Sequence, residues 1–253
     1  MRIVSWNVNG IRATLGKGFE ESFEKLQPDL LCLQETKAHP SQVELPSPLV
    51  RWSNSWSSAD KKGYSGTAVF TQSPGFRLEN FMGEPSYDSE GRATFAYGNN
   101  FTLVNLYFPN GAASPERHRF KMSFLDRLLP WLKALEASHG PLVICGDYNI
   151  AHQEIDIHDP IRNKDSSGFL PEERGWMTKL LESGFVDTFR HFHPEKKEEY
   201  SWWSFRQGSR ERNKGWRIDY ICISESLKSS LRSAAIHQDI FGSDHCPVSI
   251  ELG

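Results

Sequence analysis

Residues 142–149 read LVICGDYN: four apolar residues, then Gly146, then Asp147 and Asn149. A run this short, bounded by Gly and Asp, reads as a strand covered on both faces, and the polar pair marks where it leaves the core. Just upstream, Ser114-Pro115-Glu116 is a helix start signal. Behind it Phe120, Phe124, Leu128, Leu132 and Leu135 recur at helical spacing. A long helix feeding a doubly buried strand is the mark of an α/β layer architecture.

Working outward, similar runs predict strands at Arg2–Val8, Asp29–Leu33, Gly66–Phe70, Arg92–Tyr97, Phe101–Phe108, Ile218–Ile223 and Val248–Leu252. Further helical stripes fall on Phe19, Phe23 and Leu26 and on Trp176, Leu180 and Leu181. Strict alternation fails in the middle. There Gly66–Phe70, Arg92–Tyr97 and Phe101–Phe108 follow one another across turn residues such as Gly98-Asn99-Asn100, so antiparallel pairing is mixed in. The pattern predicts sheets packed together with helices outside them, in one domain spanning residues 1–253.

The 253 residues carry 29 Lys and Arg against 32 Asp and Glu, a formal net charge of −3. A general polyanion binder shows a basic balance, so any nucleic-acid surface here has to be local. Arg206, Arg210, Arg212, Lys214 and Arg217, with only Glu211 opposing them, are a local candidate or a solvated loop. The four cysteines, Cys32, Cys145, Cys222 and Cys246, have no C-x-x-C spacing, and three lie in apolar runs, which predicts buried free thiols. The chain opens directly on a strand-like MRIVSWNV, and no apolar run reaches membrane-spanning length. A cytoplasmic or nucleoid-associated protein with no membrane contact is expected.

The chemistry stands at the strand ends. WNVNG ends in Asn7 and Asn9, LLCLQETK in Glu35, and LVICGDYN in Asp147 and Asn149. WRIDYI opens with Asp219, and GSDHCPV puts Asp244 and His245 before the last strand. One polar strand end is an ordinary turn former; five in one chain build a cleft. The donors are carboxylate and amide oxygens without a Cys or His pair at zinc spacing, which selects Mg2+ or Mn2+. No G-x-S-x-G elbow, P-loop or G-x-G-x-x-G is present, and no cysteine has an evident activating base. Metal-assisted phosphoryl transfer to water is the chemistry these residues suit. A carboxylate such as Asp219 against His245 would keep the imidazole charged toward a phosphorane oxyanion.

Taken together, WNVNGIRA, LQETK, KKGYSGTAVF, LYFPNG, GDYNIAH, GWRIDYI and SDHCPV resemble the endonuclease/exonuclease/phosphatase superfamily, and within it the exonuclease III branch of abasic-site endonucleases. The blocks run in the family's order from Arg2 to Val248. The resemblance implies a four-layered α/β sandwich, two mixed sheets face to face with helices outside. It implies a Mg2+-dependent nuclease, with Mn2+ as a substitute, cutting duplex DNA on the 5′ side of an abasic site or working on blocked 3′ ends, as a monomer.

Carried across residue by residue, the resemblance implies a metal held by Asn7 and Glu35, with Asp244, Asp147 and Asn149 around it. Asp147 would orient or deprotonate the attacking water, Asn149 would hold water and phosphate, and His245, fixed by Asp219, would contact the scissile phosphate. Tyr107 would be a phosphate-contacting or assisting hydroxyl. Trp202, Trp216 and Ile218 would form a pocket for an extruded baseless sugar, while Trp203 reads as core. Gly63, Tyr64 and Asn163 would touch the DNA backbone. Asn9, Arg12, Lys37, Asn110 and Arg206 would reach phosphate or groove. The chain departs from the family at Ala113, where some members carry an arginine wedge, a role Arg206 could take instead, and at Ser166, the later place of a stretch that is Asn-rich in the family and of which this chain keeps the first Asn, Asn163. Two other readings compete: a sugar-phosphate or lipid-headgroup phosphoesterase, and a non-catalytic nucleic-acid binder. The 202–217 segment argues against the first, and the joint presence of Asn7, Glu35, Asp147, Asn149, Asp219 and His245 against the second.

Overall fold

The computed structural model describes residues 1–253, apart from the side chain of Gln207. Twelve strands form two six-stranded sheets. In chain order they are β1 Arg2–Asn7, β2 Leu30–Gln34, β3 Ser53–Ser57, β4 Thr67–Thr71, β5 Arg77–Glu79, β6 Ala93–Tyr97, β7 Thr102–Tyr107, β8 Leu142–Asp147, β9 Phe185–Asp187, β10 Asp219–Ser224, β11 Leu231–Ile236 and β12 Val248–Leu252. The helices are α1 Ile11–Leu15, α2 Phe19–Leu26, α3 Ser47–Val50, α4 Pro85–Asp88, α5 Pro115–His139, α6 Pro171–Glu182 and α7 Thr188–Phe192.

One sheet has the order β11-β12-β1-β2-β4-β3, the other β5-β6-β7-β8-β10-β9. Each is built around one parallel pair, β1 with β2 and β7 with β8, and the remaining neighbours are antiparallel. Both sheets are therefore mixed, as the sequence pattern requires. Because β1 lies between β2 and β12, the first sheet needs both ends of the chain.

The sheets meet through Ile3, Leu30, Cys32 and Ile250 of one and Leu103, Val143, Cys145 and Ile221 of the other, all buried. A second core joins β7, β8 and β10 to α5 and α6 through Phe124, Leu128, Leu132, Met177 and Leu180. A third packs α1 and α2 on the first sheet through Ile11, Phe19 and Leu26. The result is helix, sheet, sheet, helix. Each fully buried Leu or Phe in these layers contributes about 1.5–3 kcal/mol relative to exposure. The α5 boundaries follow the start signal: Ser114 Oγ accepts from the Arg117 N–H, Pro115 occupies the first turn, and Gly140 ends the helix at φ +83°.

Four strands carry no apolar run and escape the sequence reading: β3 (SNSWS), β5 (RLE), β9 (FVD) and β11 (LRSAAI). All four are sheet edges. An edge strand pairs on one side only and needs no unbroken apolar run, and β5 and β9 are three residues long, so the signal that identifies a central strand is missing there. All four cysteines are buried and free.

Candidate active site

Both parallel pairs point their C-terminal ends at the same edge of the sandwich. That edge receives Asn7 from β1, Glu35 just past β2, Tyr107 from β7 and Asp147 from β8. Asp219 lies directly opposite Asp147 at the start of antiparallel β10, and Asp244 and His245 lie on the loop entering β12. The close approach of β8 to β7 depends on Gly146. Its φ is +140°, and a Cβ there would lie 1.8 Å from the Leu106 carbonyl oxygen.

Buried Asn7 is the centre of the constellation. Its Nδ2 donates to Glu35 Oε1 and to Asp147 Oδ2, both at 2.9 Å, while its Oδ1 accepts from the Asn9 N–H at 2.9 Å. The amide thus clamps the two carboxylates together. Asp147 is held further by the Asn149 N–H on Oδ1 at 2.8 Å, and the Asn149 side chain donates to the Phe108 carbonyl and accepts from Asn110 Nδ2.

His245 Nδ1 meets Asp219 Oδ2 at 2.8 Å, and its Nε2 stands 3.9 Å from Asp147 Oδ2. Burial alone works against the imidazolium. The Asp219 carboxylate outweighs it, with Asp147 and Asp244 adding to the pull, and the pKa is pushed up to about 10. His245 is therefore a cation at neutral pH. The Asp147 pKa also moves up, which for a carboxyl favours the neutral form: burial first, then the Asp219 and Glu35 charges, raise it to about 7 despite His245. Burial, reinforced by Glu35 and Asp147, lifts Tyr107 well above the ordinary phenol value, so its hydroxyl stays protonated and serves as a donor.

Glu35, Asp147 and His245 present ligand atoms that all lie within 4.8 Å of one another. A charged imidazole has no lone pair to offer, so the oxygens of Glu35 and Asp147 are the pair that fits a small hard cation. Asp244 stands apart from this group. Its Oδ1 accepts from Asn9 Nδ2 at 2.9 Å and Ser243 Oγ at 3.2 Å, and its Oδ2 from Trp202 Nε1 at 3.1 Å.

Against this carboxylate corner lies a cavity of about 360 Å³, also walled by Trp202, Trp216, Ile218, Ser167 and Gly168. The two indoles stand at 89° to each other with centroids 6.0 Å apart. Trp203 is buried at 2% exposure, in the core as expected. Beside the cavity, Tyr64 and Gly63 line a groove with Lys37, His39 and Lys61. Arg12 and Arg206 are exposed, whereas Asn163 donates its amide to the His158 and Asp159 carbonyls outside the cavity.

The basic window from Arg206 to Arg217 is not a single surface. Arg217 is buried and paired with Asp156 and Asp187, each at 2.7 Å, and Arg210 donates to the Ser243, Gln238 and Ile240 carbonyls. Charge runs along a sequence say nothing of which side chains turn inward, and here two of five do.

The sequence reading missed three supports of the site. Ser201 Oγ donates to Asp219 Oδ2 at 2.7 Å and accepts from the Ile218 and Asp219 N–H groups. Lys121, fully buried on α5, donates to the Asn149 carbonyl at 2.7 Å and to Glu173 Oε1 at 2.5 Å. The other oxygen of Glu173 takes the Gly168 and Leu170 N–H groups, tying down the loop that lines the cavity. The available signals were faint: a lysine interrupting the apolar face of α5, and a serine directly before Trp202-Trp203.

A fold that brings clustered carboxylates, a charged histidine and a neutral tyrosine to one sandwich edge defines a class of enzyme, the metal-dependent phosphoester hydrolases. The chain matches the model of the Endonuclease/Exonuclease/phosphatase family over residues 4–245, and it belongs to that family. It is 43% identical over 251 residues to an exodeoxyribonuclease of Bacillus subtilis (strain 168), covering 99% of this chain and 98% of the relative. It is 40% identical over 253 residues to a DNA-(apurinic or apyrimidinic site) endonuclease of Dictyostelium discoideum, covering 99% of this chain and 70% of the relative. Among solved structures it superposes with TM-score 0.89 on the 3′ phosphatase NExo from Neisseria bound to product DNA hairpin, at 27% identity, covering 100% of this chain and 99% of that one. Among the described residues no helix is long and apolar enough to cross a membrane.

Proposed function

We propose that the chain is a DNA repair nuclease that hydrolyses the phosphodiester bond 5′ to an abasic site in duplex DNA, with Mg2+ as its working cation, and that the same phosphate site also accepts blocked 3′ ends. The observation that carries this reading is the cavity in which the carboxylate corner adjoins the Trp202, Trp216 and Ile218 walls. Phosphate chemistry and an apolar seat for a sugar share one space. The abasic-site and 3′-end activities in the relatives' names fit one site serving several substrates. Those relatives leave a sugar-phosphate or lipid-headgroup substrate unfavoured.

In this reading Asp147 accepts a proton from the attacking water while Asn149 and Asn7 hold its oxygens in place. His245, charged and aimed by Asp219, donates to a non-bridging phosphate oxygen as negative charge builds there. Tyr107 contributes a second, neutral donor. Glu35 and Asp147 would hold the cation, which supplies charge to the phosphate and to the departing 3′ oxygen. Gly63, Tyr64, Lys37, Arg12, Asn110, Asn163 and Arg206 would track the flanking strands.

The test is a duplex bearing one abasic-site analogue. The purified protein is expected to nick it 5′ to the lesion in Mg2+, to fail in EDTA, and to leave inositol phosphates intact. Cleavage of inositol phosphates with the duplex untouched would overturn the assignment.

A further inference from the structure

Five side chains form a continuous relay from the cation corner to the sugar pocket. Glu35 Oε2 is paired with Lys37 Nζ at 2.8 Å. Lys37 also donates to Asn9 Oδ1, and Asn9 Nδ2 donates to Asp244 Oδ1. Asp244 Oδ2 then accepts the indole N–H of Trp202, one wall of the cavity. Backbone contacts brace the far end, where the Trp203 N–H donates to the Asp244 carbonyl and Trp202 bridges to His245.

We propose that Asp244 is a positioning residue for the pocket wall: it fixes Trp202 through the indole N–H, and through Asn9 and Lys37 it passes the occupancy of the Glu35 corner to the pocket. This inference rests on the reading of that corner as a cation site. It differs from the expectation that Asp244 completes a metal shell. The carboxylate is already committed, with one oxygen shared by Asn9 and Ser243 and the other held by Trp202, and it lies outside the Glu35, Asp147 and His245 group.

The coupling has a direct physical origin. Lys37 would share the Glu35 carboxylate with a cation held there, and two positive charges on one carboxylate repel. A weakened Lys37–Glu35 pair changes what Lys37 offers Asn9, and Asn9 passes the change to Asp244. Asp244→Asn breaks the relay in a defined way. One amide oxygen cannot accept from both Asn9 and Trp202, and the new NH2 faces a donor. Trp202→Phe keeps the aromatic wall and deletes only the link.

The experiment uses the full chain and the metal alone. In calorimetric Mn2+ titrations, Glu35→Gln should lose at least about tenfold in affinity, while Asp244→Asn changes by less than about threefold, below what even an outer partner of a ligand costs. In 5-fluorotryptophan-labelled protein, the Trp202 19F resonance, assigned by its loss in Trp202→Phe, should move on adding Mg2+, and Asn9→Ala should abolish that movement while the protein still binds Mn2+. On an abasic duplex, Asp244→Asn and Trp202→Phe should raise KM alike, and the double variant should be no worse than either, because both cut one link. An Asp244→Asn loss of Mn2+ affinity equal to that of Glu35→Gln, or a Trp202 resonance indifferent to Mg2+, overturns the proposal. Failure of the nuclease reading shows separately, as a wild-type protein that leaves the abasic duplex intact while its Mn2+ and fluorine titrations behave as described.

Discussion

Replacing Asp156 with Asn removes the central anion of a buried network beneath the pocket. One oxygen, Oδ1, receives Arg217 Nε at 2.7 Å and Arg190 at 2.5 Å, and Oδ2 takes the Gln153 N–H. Burial alone would raise this carboxyl, but the two guanidinium groups overcome it and hold the pKa at about 2. A group depressed from 3.8 to about 2 stabilises the fold by about 2–3 kcal/mol. The sign follows from the depression. The full contribution is present above the unfolded value near pH 4, about half remains at pH 3, and it is lost as the pH falls through 2. At pH 7 the variant also leaves Arg190 without a carboxylate partner and Arg217 with Asp187 alone, so the total cost should reach about 3–5 kcal/mol. Urea unfolding of both proteins at steps from pH 7 to pH 3 should show a stability gap constant down to about pH 4 and then shrinking. A gap that stays flat to pH 3 would refute the assignment of the depressed carboxyl to Asp156. Function should follow: the Asp156 carbonyl accepts the Arg217 N–H and Ile157 bridges to Trp216. The variant should therefore bind abasic duplex more weakly at pH 7, with KM rising more than kcat falls.

Lys121→Met should cost about 3–5 kcal/mol in urea unfolding, because Glu173 is left charged and buried without its partner; a loss under 1 kcal/mol, on the scale of a surface pair, would show that the pair is not buried in solution. Asp147→Asn and His245→Ala should each slow single-turnover nicking at least about 100-fold, the scale of a lost transition-state contact, and near-wild-type rates would remove them from the chemistry. Gly146→Ala places a methyl 1.8 Å from a β7 carbonyl, and a variant that melts within about 2 °C of wild type would contradict the close β7–β8 approach, since even 1 kcal/mol moves the midpoint by about 2–4 °C at this size.

The legibility of the sequence divides along physical lines. Strands β1, β2, β4, β6, β7, β8, β10 and β12 announced themselves because burial on both faces demands consecutive apolar residues. The edges β3, β5, β9 and β11 did not, since nothing demands it there. Asn7, Glu35, Asp147, Asp219 and His245 were legible because each interrupts or ends such a run, and the structure brings them to one edge. Lys121, Glu173 and Ser201 were not: their roles depend on backbone groups far away in sequence, as when Lys121 reaches the Asn149 carbonyl. Asn7 carried more than its position suggested, because which way an amide faces is decided only by neighbours from two other strands.

The electrostatics of the corner explain why such a site calls for a cation. Glu35, Asp147, Asp219 and Asp244 bring four carboxylates to one edge, and Lys37 and His245 answer with two positive charges. With every carboxylate ionised the excess is two negative charges, the charge of one divalent ion. The rise of Asp147 to about 7 is the symptom of that imbalance, because a proton is the alternative way to relieve it. The backbone holds the arrangement at some expense. Glu35 and Lys37 both lie at positive φ, +49° and +51°, a conformation costing about 1–3 kcal/mol at a residue other than glycine. Neither is free to relax: the Glu35 carbonyl accepts the Gly10 N–H at 2.7 Å and the Lys37 N–H donates to Ser65 at 2.8 Å. A strand end strained in this way and tied on both sides keeps two carboxylates facing each other where an unconstrained loop would let them part. The same constraint that makes the protein alone less stable prepares the ligand set in advance, so the ordering is complete before cation or phosphate arrives.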